Sequence, residues 1–236
     1  MNLAKKTARI AGVLYLFLVL TGAYCVMYVP SKIIVLGDAG TTAKNILSNE
    51  FLFRTGIISD LIANTVFVFL VLVLYRLFKQ VNEHLAKLMV ALVIVQIPAV
   101  FIMEAFNITC LMIFKGEILK SFEFSQRQDL AMLFLKINDY GTLTLEMFWG
   151  LWLIPFGQLV YKSGFIPRIL GILLIIGGIT YMIDSFISLL FPSYHAFVNQ
   201  PTLLFLVAIG EISIMLWLLI KGVKVQQDSI GAEVPK

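Results

Sequence analysis

The chain is poor in the residues that build metal and redox centres. It has two cysteines, Cys25 and Cys110, and two histidines, His84 and His195, in 236 residues. No C-x-x-C pair and no Cys/His spacing occurs, so zinc-site and haem-attachment motifs are absent. The two cysteines are read as unpaired thiols, because pairing needs a specific geometry. A disulfide near the outer face stays open as the alternative. Charge is also scarce. Asp, Glu, Lys and Arg make up 14% of the chain, against about 25% in a soluble domain. The formal net charge of +4 invites a nucleic-acid reading. The basic residues, however, fall in short clusters between apolar runs and form no stripe, so nucleic acid is not an expected partner. No H-E-x-x-H, G-x-S-x-G or D-x-x-x-D pattern is present, so no metal or cofactor is expected and enzymatic activity is left open.

What the chain has instead is apolar length. Hydrophobic residues make up 60% of it. They gather in six runs, near 10–29, 56–77, 88–114, 142–161, 169–190 and 202–220, of about 19–27 residues each. That is the length a tilted helix needs to cross a hydrocarbon core of about 30 Å. The expected fold is all-α, a polytopic bundle of six transmembrane helices over 1–222, with 223–236 as a cytoplasmic tail. The start "MNLAKKTARIAGVLYLFLVLTGAYC" imitates a signal peptide. Its apolar run continues to about Val29, and bulky Tyr24 precedes Cys25, so an uncleaved first helix is expected.

Lys and Arg set the expected orientation. With a cytoplasmic N-terminus, the inner segments hold eleven of them and the outer segments seven. The positive-inside rule then puts both termini in the cytoplasm. Within "YKSGFIPRILG", Gly164 closes the fourth helix and Pro167 suits the first turn of the fifth. Pro98 and Pro155 lie inside spans, and Gln96 is placed to satisfy backbone groups freed beside Pro98. The outer segment "GDAGTTAKNILSNEFLF" reads as a short interfacial helix or as an extension of the second span. In the first case Ala43, Ile46, Leu47 and Phe51 face lipid. Small residues such as Gly171, Gly177 and Gly178 permit close helix packing.

Against this background the intramembrane acids stand out. Asp60, Glu104, Glu146, Asp184 and Glu211 lie inside five spans, and Asp139 sits at the outer mouth of the fourth. At 1.5 Å per residue they fall from about 6 to about 15 Å below the outer boundary. Several share a helical face with other polar residues: Asp60 with Asn64, Glu104 with Asn107, Asp139 with Thr142 and Glu146, and Asp184 with Thr180 and Ser188. Such stripes turn away from lipid, which predicts an outward-opening polar cavity. Only Arg54 and Lys136 lie near this depth as cations. Tyr140, Trp149, Trp152 and Tyr181 either line the cavity or pack and anchor as aromatics.

Four blocks, "KKTARIAGVLYLFLVLTG", "NILSNEFLFRTGIISDLI", "SGFIPRILGILLIIGGITYMIDSF" and "GEISIMLWLLIKGV", resemble an uncharacterised bacterial membrane family, catalogued as domain of unknown function 4386. The resemblance covers nearly the whole chain. It implies a multi-pass protein of the bacterial cytoplasmic membrane and brings no known activity, cofactor or substrate. It draws attention to Arg54, Asp60, Asp184 and Glu211, which sit inside the resembling blocks.

Three readings follow. The leading one is a small proton- or cation-coupled carrier with a polar cavity whose candidate residues are Asp60, Asn64, Glu104, Asn107, Asp139, Glu146, Asp184, Glu211 and Arg54. The second is a membrane-embedded enzyme acting on a lipid-like substrate. The third is an accessory protein in which the acids serve as interhelical hydrogen-bond glue. The lipid bilayer is the expected partner, with a small cation or lipid-like ligand in the cavity. Six helices are few for a carrier, which favours a homo-oligomer.

Overall fold

The computed structural model describes residues 3–35, 37–191 and 201–223. Residues 192–200, with His195, and 224–236, expected as a tail, lie outside the described residues. Helix α1 spans Leu3–Ile33, with Ala23–Tyr28 in π-helical form. Then come α2 (Ala39–Ser48), α3 (Glu50–Phe78), α4 (Glu83–Phe114), α5 (Phe124–Ser163), α6 (Arg168–Leu190) and α7 (Pro201–Leu216), which continues as a π-helical turn, Trp217–Lys221. The described residues are therefore all-α. Helices α1, α3, α4, α5 and α6 are long and apolar enough to cross a membrane.

Local chemistry marks the helix ends. The Asp38 carboxylate accepts from the Thr41 hydroxyl at 2.6 Å and the Thr41 N–H at 2.8 Å at the start of α2. Those bonds hold its carboxyl below the usual carboxylate range. Asn82 caps α4 by accepting from the Leu85 N–H at 2.9 Å. Glu123 and Gln126 form a reciprocal capping box ahead of α5. Gly164, at φ 70°, closes α5 in the left-handed region that favours glycine. Pro167 stands just before α6 rather than in its first turn.

Two expectations need correction. The fourth span was expected to begin near 142, but α5 starts at Phe124. Its first half is amphipathic rather than apolar: Ala131, Phe134, Leu135 and Asn138 turn inward while Lys136, Asp139 and Tyr140 are exposed. A charged helix of this kind does not register as an apolar run. Second, α2 is a helix of its own, separated from α3 at Asn49, but it does not present its whole apolar face to lipid. Ala43 and Ile46 are buried, while Leu47 and Phe51 are exposed.

The interior has two apolar cores. The larger joins α1, α3, α4, α5, α6 and α7 around Tyr15, Leu74, Met89, Phe156 and Leu218. Within it Trp152 stacks on Phe156 at 5.4 Å and meets Phe67 edge-on at 4.9 Å. The smaller joins α1, α2, α3, α4 and α5 around Val29, Ile46, Ile57, Leu111 and Ala131. Lipid is as apolar as these side chains, so close approach and hydrogen bonds have to hold the helices together. The tightest seam is between α5 and α6. A Cβ on Gly150 or Gly178 would strike the other's carbonyl, and Gly157 and Gly171 are related in the same way. The two crossings lie two turns apart on each helix. Gly171 and Gly178 were expected to pack closely, and their partners on α5 are Gly157 and Gly150 respectively. Ser185 adds a hydrogen bond across the seam, donating to the Leu143 carbonyl at 2.8 Å.

Gln96 departs from its expected role. It is buried, and neither its amide nitrogen nor its amide oxygen has a hydrogen-bond partner. It therefore does not satisfy backbone groups beside Pro98.

Gly157→Val and Gly171→Val should each destabilise the protein by roughly 1–3 kcal/mol, the range for overpacking a tight contact. Gly22→Ala, where nothing lies within reach of a Cβ, should leave stability unchanged or raise it. Thermal unfolding in detergent checks both. Gln96→Leu should keep or raise the melting temperature by the same measurement, since it removes an unpaired buried amide.

Candidate functional site

The two cores do not meet. On α3, core residues Phe53 and Ile57 are followed by Asp60 and Asn64 before the second core begins at Phe67. On α4, Glu104 and Asn107 fall between Val93 and Cys110. On α5, Asn138, Asp139, Thr142 and Glu146 fall between Ala131 and Trp152. These three polar stretches and the π-helical part of α1 enclose a cavity of about 260 Å³.

Four of the six acids line that one cavity: Asp60, Glu104, Asp139 and Glu146. Asn64 donates to the Asp60 carboxylate at 3.0 Å, one helical turn away. Asn107 donates to both oxygens of Glu104, at 3.1 and 3.3 Å. The Asp60 and Glu104 carboxyls come within hydrogen-bond reach of each other across α3 and α4. Cys25 joins them, its thiol donating to Asp60 at 3.6 Å. Glu146 is 8% exposed, and its Oε2 is buried without a hydrogen-bond partner. It faces Asp184 on α6 and Asp139 on its own helix. Among the described residues no Lys, Arg or His lines the cavity.

Three expected members stand elsewhere. Arg54 does not line the cavity: its guanidinium pairs with Glu50 at 2.8 Å, one turn away on the exposed side of α3. Lys115 adds to that surface group, reaching Glu50 at 3.2 Å and Glu117 at 2.9 Å. Asp184 stands behind Glu146 rather than on the cavity wall. Glu211 lies away from it too, where it accepts the Tyr15 hydroxyl at 2.7 Å and so ties α7 to α1. Tyr181 comes within electrostatic range of both Glu211 and Glu146 and meets Trp149 edge-on at 5.9 Å. Trp149 lines the cavity, Trp152 belongs to the larger core, and Tyr140 is exposed.

Cys25 and Asn138 were not anticipated as cavity residues. The π-helical turn brings Cys25 in, since it changes which face of α1 meets α3. Cys25 and Cys110 are both free thiols. Asn138 donates to the Met103 carbonyl at 3.2 Å and so joins α5 to α4 at the cavity. Its position one turn before Thr142 on the stripe was the available signal. Among the described residues no three His, Cys, Asp or Glu side chains come together in a way that could hold a metal ion.

Comparisons with known proteins assign no chemistry. An uncharacterized protein of Archaeoglobus fulgidus is 36% identical over 97 residues, covering 39% of this chain. The matched chain spans 56% of that archaeal protein, little more than half its length. No solved structure matches. Residues 10–222 match the family described as Domain of unknown function (DUF4386), and the chain belongs to that family.

Proposed function

We propose that the protein is a small proton- or cation-coupled carrier of the cytoplasmic membrane, and that the acidic cavity is where it binds what it moves. The observation that supports this most is the placing of four carboxyls from three helices around one void between two dry cores. An ionised Asp at the centre of a spanning helix costs about 2.5–3.5 kcal/mol on insertion scales. Four of them are tolerated where protons or cations neutralise them. The facing pair Asp60 and Glu104 holds one proton or one cation between its two carboxyl groups.

The glue reading fits one acid well. Glu211 joins two helices through Tyr15. It covers Asp60 and Glu104 only in part: they meet across α3 and α4 and Asp60 accepts from Cys25 of α1, but their asparagine partners are on the same helix. The enzyme reading has no specific observation in its favour.

In this proposal α7 and its π-helical turn form a sixth span, and both termini lie in the cytoplasm. The larger core, near Arg76, Lys162 and Arg168, then sits in the inner half. The cavity sits in the outer half and opens outward. Residues 1–222 form the transmembrane domain and 223–236 the tail. The candidate residues are Asp60, Asn64, Glu104, Asn107, Asp139 and Glu146, with Asp184 supporting Glu146.

Purified protein in liposomes should pass protons or a cation down an imposed gradient. Glu104→Gln or Asp60→Asn should lower that flux at least tenfold, while Arg54→Gln should leave it nearly unchanged. Absence of flux for protons and every cation tried would sink the carrier reading. The orientation has its own check in intact cells. A small membrane-impermeant thiol reagent applied outside should label Cys25 through the cavity and leave buried Cys110 unmodified. Labelling of Cys25 only after the inner face is exposed would reverse the topology.

A further inference from the structure

The cavity is not built for a bare ion. Its acids are grouped at two places, and the wall between and around them is apolar, with Val100, Leu135 and Leu145 among its residues. At the first place, Asp60 and Glu104 are already served by Asn64, Asn107 and Cys25. At the second, Asp184 comes within hydrogen-bond reach of the Glu146 carboxyl, and Glu146 Oε2 is buried with no partner. One turn along α5 from Glu146, the Trp149 ring lines the same cavity, set edge-on against Tyr181. A carboxylate with an unmet acceptor near an indole ring is recognition chemistry suited to an ammonium group. The cavity volume, about 260 Å³, falls just below the roughly 300–1,000 Å³ of sites for drug-sized ligands.

We propose that the cavity binds a small organic cation, an ammonium group on a compact apolar body, with the ammonium held by Glu146 and Trp149 and the body against the apolar wall. This rests on the carrier reading and deepens it. The two acidic places then divide the work. Glu146 and Trp149 recognise the cation, and the Asp60–Glu104 pair holds the proton that is exchanged for it. Asp139, exposed at the cavity, and Asp184, behind Glu146, add negative field at the recognition end. A bare metal ion fits less well, since no three acid, Cys or His side chains among the described residues converge as ligands.

The test is calorimetric titration of the full-length protein in detergent with 2-phenylethylammonium, which is charged at about pH 7, beside neutral 2-phenylethanol and sodium ion. The ammonium should bind, and the alcohol should bind at least tenfold more weakly. Glu146→Gln should weaken ammonium binding at least tenfold. Trp149→Leu should weaken it at least threefold and Trp149→Phe should largely restore it, with unchanged melting temperatures showing that each variant folds. Equal binding of the alcohol and the ammonium, or full affinity in Glu146→Gln, overturns the inference. Binding of sodium alone, with flux retained in liposomes, also overturns it while the carrier reading stands. No binding and no flux removes both.

Discussion

A carboxylate in hydrocarbon needs water, a partner, a proton or a cation, and the bundle is arranged around that requirement. Each of α3, α4 and α5 is apolar at both ends of its packed face and acidic between them. When these helices align, their polar stretches fall at one level and the dry stretches fall above and below. The cavity is the outcome of that register. A slip of one turn, about 5.4 Å, would push acids into a core and apolar side chains into the cavity.

Register therefore has to be held without help from the hydrophobic effect between helices. The α5–α6 seam does this with two glycine crossings and the Ser185 hydrogen bond. Asn138 fixes α5 to α4 at the cavity itself. Tyr15 and Glu211 tie the first helix to the last. Gly12 does the same nearer the start of α1, where a Cβ would meet the backbone of Leu219. These polar and close-packed contacts give directional specificity that lipid-like side chains lack.

Much of this was legible in the residues. The apolar runs placed the long helices, and the spacing of Asp60 with Asn64 and of Glu104 with Asn107 placed each pair on one face, because such neighbours are set by a single helix. Contacts between helices were harder to see. Glu211 was assigned to the cavity from depth, and Asp184 from depth and its stripe with Thr180 and Ser188, yet the rotation of α7 and α6 in the bundle aims them at Tyr15 and at Glu146. Cys25 escaped notice because a π turn shifts the face of α1, and nothing in "AYCVMY" announces that turn. The first half of α5 was hidden by its own charges, and the inward face of α2 by the core it covers. Gly150 and Gly157 had no visible role until α6 was laid against them.

In the proposed carrier the cavity carboxyls change protonation or pairing when a cation arrives. Infrared difference spectroscopy of the reconstituted protein reads this directly, through the carboxyl stretching bands before and after a cation such as 2-phenylethylammonium or sodium is added. A carboxyl difference signal should appear that is reduced in Glu104→Gln and in Glu146→Gln and retained in Glu211→Gln. A carboxyl region that does not respond to any cation, or a response carried wholly by Glu211, would contradict it.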